Sequence, residues 1–155
     1  MQEPEDDLLS PSLVRTRYDV LPEGRRPWRL GSQFYVSVLG GPVAAGLVGY
    51  LNGRRLGLPA ARLAAIAAVG LAALVAVAIA AAAVSSNADA PLRGISMIGG
   101  AVGYLAIREL QKDADRRHGA GRGDDESYDS LWRPGILIVV GGGLAAAVVI
   151  AAVTA

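Results

Sequence analysis

The chain has 155 residues, 52% of them hydrophobic, with no cysteine, one histidine, a formal net charge of +1 and a mean hydropathy of +0.37. A disulfide framework, a thiolate metal site and a multi-histidine metal site within one chain are thereby excluded. Charges crowd into Gln2–Arg29, Arg54–Arg62 and Arg108–Arg133 with almost none between, which is the block pattern of membrane spans. Acids accompany the bases in both long polar stretches, so no nucleic-acid surface is indicated.

Residues 1–29 read as a polar N-terminal tail. Pro4, Pro11, Pro22 and Pro27 oppose a long helix there. The acidic start "MQEPEDD" and the lack of a small-residue cleavage site argue against a signal peptide, so the first apolar run is expected to be retained. Trp28 with Arg29, and Trp132 with Arg133, flank apolar runs and are expected to anchor the chain at the headgroups.

Four apolar runs follow: Leu30–Gly53, Leu63–Ala88, Gly94–Ile107 and Pro134–Ala155. A crossing helix needs about 20 apolar residues. Three runs meet that length, and the third reaches it only with Leu92 and a snorkelling Arg93. The expected fold is all-α, an integral membrane domain over 30–155 with helices at about 31–52, 63–86, 92–109 and 134–154 and a polar loop at 110–133.

The first run contains Gly40-Gly41-Pro42, a break predicted to thin or kink the helix so that another backbone can approach. Ser37 or a neighbouring helix would take the carbonyl that Pro42 frees. A discontinuous helix with a solute or ion site at the break is the sharper alternative. Because lipid is as apolar as leucine, helix association needs small residues four apart, which share one face. The stripes are Gly41, Ala45, Gly49 and Gly53 in run one; Ala68, Ala72 and Ala76 in run two; Gly99 and Gly103 in run three; and Gly143 and Ala147 in run four.

An internal echo links "VGYLNGRRL" from Val48 to "VGYLAIREL" from Val102, each where an apolar run meets charge. It points to two hairpins in tandem, with the ends of runs one and three on the same side. Four crossings would then place loops 54–62 and 108–133 in the cytoplasm and both termini outside. If run three only dips in, the tail and the long loop share the cytoplasm instead.

No ionisable residue lies inside the apolar runs, which disfavours proton-coupled transport. His118 reads as a solvated loop residue. Asp124, Asp125, Glu126 and Asp129 lack the spacing of a calcium-binding loop. "GAGRG" lacks the Gly-Lys-Ser/Thr ending of a phosphate loop and reads as a linker. No catalytic, metal or cofactor residue is expected.

The stretch "FYVSVLGGPVAAGLVGYLNGRRLG", together with "YLAIRELQ", resembles an uncharacterised group of small bacterial four-span membrane proteins. Their first helix carries a Gly-Gly-Pro-x-Ala-x-Gly core followed by an Asn/Arg-rich exit. The likeness covers Phe34 to Ala155; it implies four helices in a bacterial inner membrane and no known activity. The expected role is non-enzymatic: an accessory or scaffold subunit that packs through its Gly/Ala faces against lipids and other membrane subunits, or against itself. An oligomeric pore or carrier for a small neutral solute is the alternative.

Overall fold

The computed structural model describes residues 26–84, 92–120 and 128–154. The proline-bearing tail up to Arg25, and Asp124, Asp125 and Glu126, lie outside the described residues. Four helices follow in order: α1 (Leu30–Arg55), α2 (Ala60–Val84), α3 (Leu92–Gly119) and α4 (Trp132–Thr154). The fold is all-helical among the described residues, with one isolated bridge between Trp28 and Asp129. By length and composition three helices can cross a membrane: Leu30–Arg55, Ala60–Val84 and Trp132–Val153.

α1, however, is not a rod. A straight helix would hold Trp28 and Asn52 about 36 Å apart. Instead the Trp28 backbone N–H donates to Asn52 Oδ1 at 2.7 Å, and the Arg55 guanidinium lies 3.8 Å from the Trp28 ring centroid. The chain therefore reverses inside α1, at Gly41, whose φ of 72° and ψ of −166° are not helical. That region is open essentially to glycine alone. Pro42 follows as the first residue of the returning arm, where its missing N–H costs nothing and its fixed φ suits a helix start. Residues 30–40 and 42–55 are thus two arms of a helical hairpin. The expected kinked crossing helix is corrected to a full reversal.

The hairpin sits at the centre. It packs on α2, α3 and α4, whereas α3 and α4 scarcely touch each other. Tandem hairpins are therefore not the packing unit, because α1 wedges between the third and fourth helices. The returning arm runs parallel to α3: Ala45 lies beside Gly103, Gly49 beside Ile107, and Asn52 bonds Gln111. The two echoing segments consequently leave the apolar layer at the same end.

Glycine marks the closest crossings. A methyl group on Gly100 would collide with the Ser37 carbonyl and lie 3.0 Å from Gly41 Cα. Gly46 and Gly70 meet backbone to backbone, and a Cβ on Gly142 would fall 2.9 Å from Ala44 N. Ser37 does not serve the carbonyl freed by Pro42; its hydroxyl donates to the Gln33 carbonyl one turn back, at 2.7 Å.

The expected stripe of α1 is buried throughout, at Gly41, Ala45, Gly49 and Gly53. Gly103 is buried and Gly99 rests on Val77. In α2 the inward residues are Ile66, Gly70, Val77 and Ala81, while Ala68, Ala72 and Ala76 face outward. A run this rich in alanine is smooth on every side, so spacing cannot select a face; the closest approach at Gly70 does. In α4 the inward stripe is Gly135, Ile138, Gly142, Ala146 and Ile150. Gly143 has nothing within 4 Å of an added Cβ, and Ala147 is exposed. Three consecutive glycines make that register degenerate, and contact with Ala44 chooses the middle one.

α3 continues to Gly119, well into the stretch expected as loop. Ile107, Gln111 and Ala114 are buried at helical spacing, so the polar half is amphipathic and docks beside the hairpin. A Glu109–Lys112 pair at 3.2 Å and basic residues Arg116 and Arg117 in the last turn suit the helix and its dipole.

Gly100→Ala should lower the thermal stability of the detergent-purified chain by about 1–3 kcal/mol, because the methyl group meets backbone. Gly143→Ala, into open space, should leave it unchanged or raise it by up to about 1 kcal/mol through helix propensity. Equal effects of the two substitutions would contradict this packing.

Candidate functional site: a polar clamp at the mouth of the hairpin

The two arms of α1 end together, and polar groups from four segments converge there. Asn52 is fully buried: its Oδ1 accepts the Trp28 N–H, and its Nδ2 donates to Gln111 Oε1 at 3.1 Å. Gln111, equally buried, donates from Nε2 to the Gly49 carbonyl at 2.6 Å. Tyr104 adds a bond from its hydroxyl to the Leu30 carbonyl at 3.1 Å. The start of the first arm, the end of the second and the middle of α3 are thus joined by amide and hydroxyl groups.

Arg55 closes the outer side. Its guanidinium covers the Trp28 ring, donates to the Arg26 carbonyl at 2.9 Å and reaches Asp129 at 3.4 Å. Asp129 in turn donates its backbone N–H to the Pro27 carbonyl at 2.9 Å, which fastens the segment before α4 to the segment before α1. A stacked arginine of this kind contributes about 0.5–2 kcal/mol.

Trp28 is therefore not a headgroup anchor. Only 2% of it is exposed, because the first arm begins where the second ends and the ring is enclosed between them. Trp132 is 75% exposed, and Arg29 and Arg133 are also exposed. Arg29 lies 5.7 Å from the Tyr128 ring centroid, and Tyr128 donates to Asp115 at 3.2 Å. Asp115 belongs to the polar end of α3. Burial pushes its carboxyl above the ordinary range, while the Tyr128 hydroxyl and the nearby His118 pull the other way.

Two further features adjoin the clamp. Deeper in the first arm, Gln33 is buried and its Nε2 has no hydrogen-bond partner. On the outer side, a groove of about 700 Å³ runs between the first arm and α4, with Ser32, Tyr35, Leu39, Trp132, Ile136 and Val139 among its walls. Among the described residues no group of His, Asp and Glu is gathered to hold a metal ion.

Asn52 and Gln33 appear in the sequence only as polar residues within or near an apolar run, with nothing to pair them. Gln111 escapes sequence reading altogether, because its position lies in the expected loop. Its four- and three-residue spacing from Ile107 and Ala114 was the available signal. Comparison with known protein families, curated proteins and solved structures found no match.

Asn52→Leu strands the Gln111 amide oxygen and the Trp28 N–H, and should cost about 1–3 kcal/mol. Loss of the Trp28 enclosure should then appear as a red shift of tryptophan emission, read in a Trp132→Phe background. For Asp115 the sign follows from its raised folded pKa: the ionised carboxylate costs stability above that pKa and nothing below the ordinary value of 3.8. Asp115→Asn, which still accepts from Tyr128, should therefore stabilise the chain near neutral pH. That gain should vanish as the pH falls to about 4, a trend that thermal melts across the pH range will report.

Proposed function

We propose that this chain is a non-enzymatic, multi-pass protein of a bacterial inner membrane, acting as an accessory or scaffold subunit of a larger membrane assembly. The membrane location is supported by the three long apolar helices; the bacterial setting is only what the resemblance read in the sequence from Phe34 to Ala155 implies. The observation that carries the scaffold role is the outward placement of two small-residue stripes. Ala68, Ala72 and Ala76 on α2, and Ala147 with Gly143 on α4, are not consumed by the chain's own packing. Other residues of the same helices already serve that need. In lipid, smooth faces of this kind allow a second helix to approach closely enough for van der Waals attraction and weak backbone contacts to hold it.

The interior polar groups fit the same role. They are neutral amides and hydroxyls engaged in joining arms to helices, which is the work of a rigid adaptor. The second reading, an oligomeric pore or carrier for a small neutral solute, draws on the broken α1 and the unpartnered Gln33 amide.

Isolation from native membranes in mild detergent should recover the chain with other membrane subunits at fixed ratio, and liposomes holding the chain alone should show no solute flux. Ala72→Trp should abolish that co-purification while leaving the thermal stability of the isolated chain unchanged. Solute flux without partners would overturn the scaffold role in favour of the pore.

A further inference from the structure

We propose that α1 enters and leaves the bilayer through the same leaflet, the cytoplasmic one, so that the chain crosses three times, by α2, α3 and α4. The inference rests on the membrane location proposed above and goes beyond it by assigning topology. Its first support is the reversal at Gly41 together with the clamp. Trp28 and Asn52 share a hydrogen bond, and Arg55 covers Trp28, so both ends of α1 stand at one end of the bundle. The longer arm, residues 42–55, is about 21 Å long, short of the roughly 30 Å hydrocarbon thickness.

The depth of the tip follows from its neighbours. Gly41 lies against Ser96 and Gly100 of α3. Gly100 stands midway between Arg93 and Ile107, the two limits of the apolar part of α3. The turn thus sits near the bilayer midplane. Irregular backbone at that depth is tolerated only when protein encloses it, and Gly40, Gly41 and Pro42 are all buried. The reversal also sets the negative end of one arm's dipole beside the positive end of the other's, so the two cancel where no water is present to screen them.

The leaflet follows from charge. With α1 folded back, the segment before α1, the α1–α2 connection and the α3–α4 connection all belong to one end. Among the described residues every Lys and Arg stands at or beside that end except Arg93. Lys and Arg near the ends of short loops select the cytoplasmic side. Four crossing helices would move Arg26 and Arg29 to the side of Arg93 and narrow the bias from ten against one to eight against three. α3 carries the third crossing: Arg93 snorkels at one surface, and Arg108 stands where the hairpin's own arginines emerge.

The chain lacks cysteine, so single-cysteine variants Gly31→Cys, Arg54→Cys, Arg93→Cys and Ala120→Cys can be read against no background with a membrane-impermeant maleimide. In intact cells only Arg93→Cys should label; the other three should label only after permeabilisation, with labelling in denaturant as the control for expression. Gly31 and Arg54 variants labelling from opposite sides would overturn the hairpin. Both labelling from outside would overturn the orientation. A spin-label pair at Gly31 and Arg54 in the reconstituted chain should give a distance well below the roughly 35 Å that a straight helix imposes; a distance near that value also rejects the hairpin. Release of the chain from membranes by an alkaline wash would instead reject the membrane location itself, whatever the labelling pattern.

Discussion

The enclosure of Trp28 by Asn52 and Arg55 is the interaction on which the rest of this molecule depends. It joins residues that the helical pitch would hold a bilayer's width apart, and it is possible only because Gly41 turns the chain back. Once the two ends meet, α1 ceases to be a span and becomes a wedge. The other helices then arrange themselves around it: α2 against the returning arm, α3 parallel to that arm, and α4 against both arms.

Glycine is the currency of contact in this bundle. Burial in lipid provides little drive for helix association, so stability must come from close approach and from hydrogen bonds between helices. The structure uses both in different places. At mid-height, Gly46 meets Gly70 and Gly100 meets the turn, and the backbones come as near as main-chain atoms allow. At the mouth of the hairpin, where water is close, Asn52, Gln111 and Tyr104 take over. The clamp therefore supplies direction where glycine contacts supply proximity. Amide pairs fix register, which smooth alanine surfaces cannot.

The same division bears on function. On α2, α3 and α4 the residues that hold the chain together lie on one side of the helix, and the other side is left to the surroundings, whereas α1 at the centre is buried on several faces. On α2 those surroundings meet alanines alternating with Leu71, Val75 and Ile79, a surface equally suited to lipid and to a second helix. The buried polar groups are tied mainly to backbone groups of the bundle itself, and Asn52 and Gln111 also to each other. A scaffold reading accommodates both facts, since it asks for a stiff interior and adaptable faces.

Much of the secondary structure is legible in the sequence. The blocks of charge and apolar residues mark four helical segments, and Gly40-Gly41-Pro42 marks where the first one breaks. The α1 stripe is also readable, because glycine is costly in a helix and its repetition needs a reason. What no local pattern decides is the direction of the chain after Gly41. A proline-glycine break is compatible with a kink or a reversal, and the choice is made by Trp28, Arg55, Asn52 and Gln111, which are far apart in sequence. The faces of α2 and α4 were likewise undetermined, since runs of alanine or glycine present several equivalent stripes and only a neighbour's shape selects one. Composition and periodicity thus determined the four apolar helical segments, but not the polar half of α3 up to Gly119, which is helical because it docks beside the hairpin through Gln111 and Ala114. Tertiary contact alone decided that the first helix doubles back and which stripe each remaining helix turns inward, because those outcomes depend on energies between residues that the sequence keeps apart.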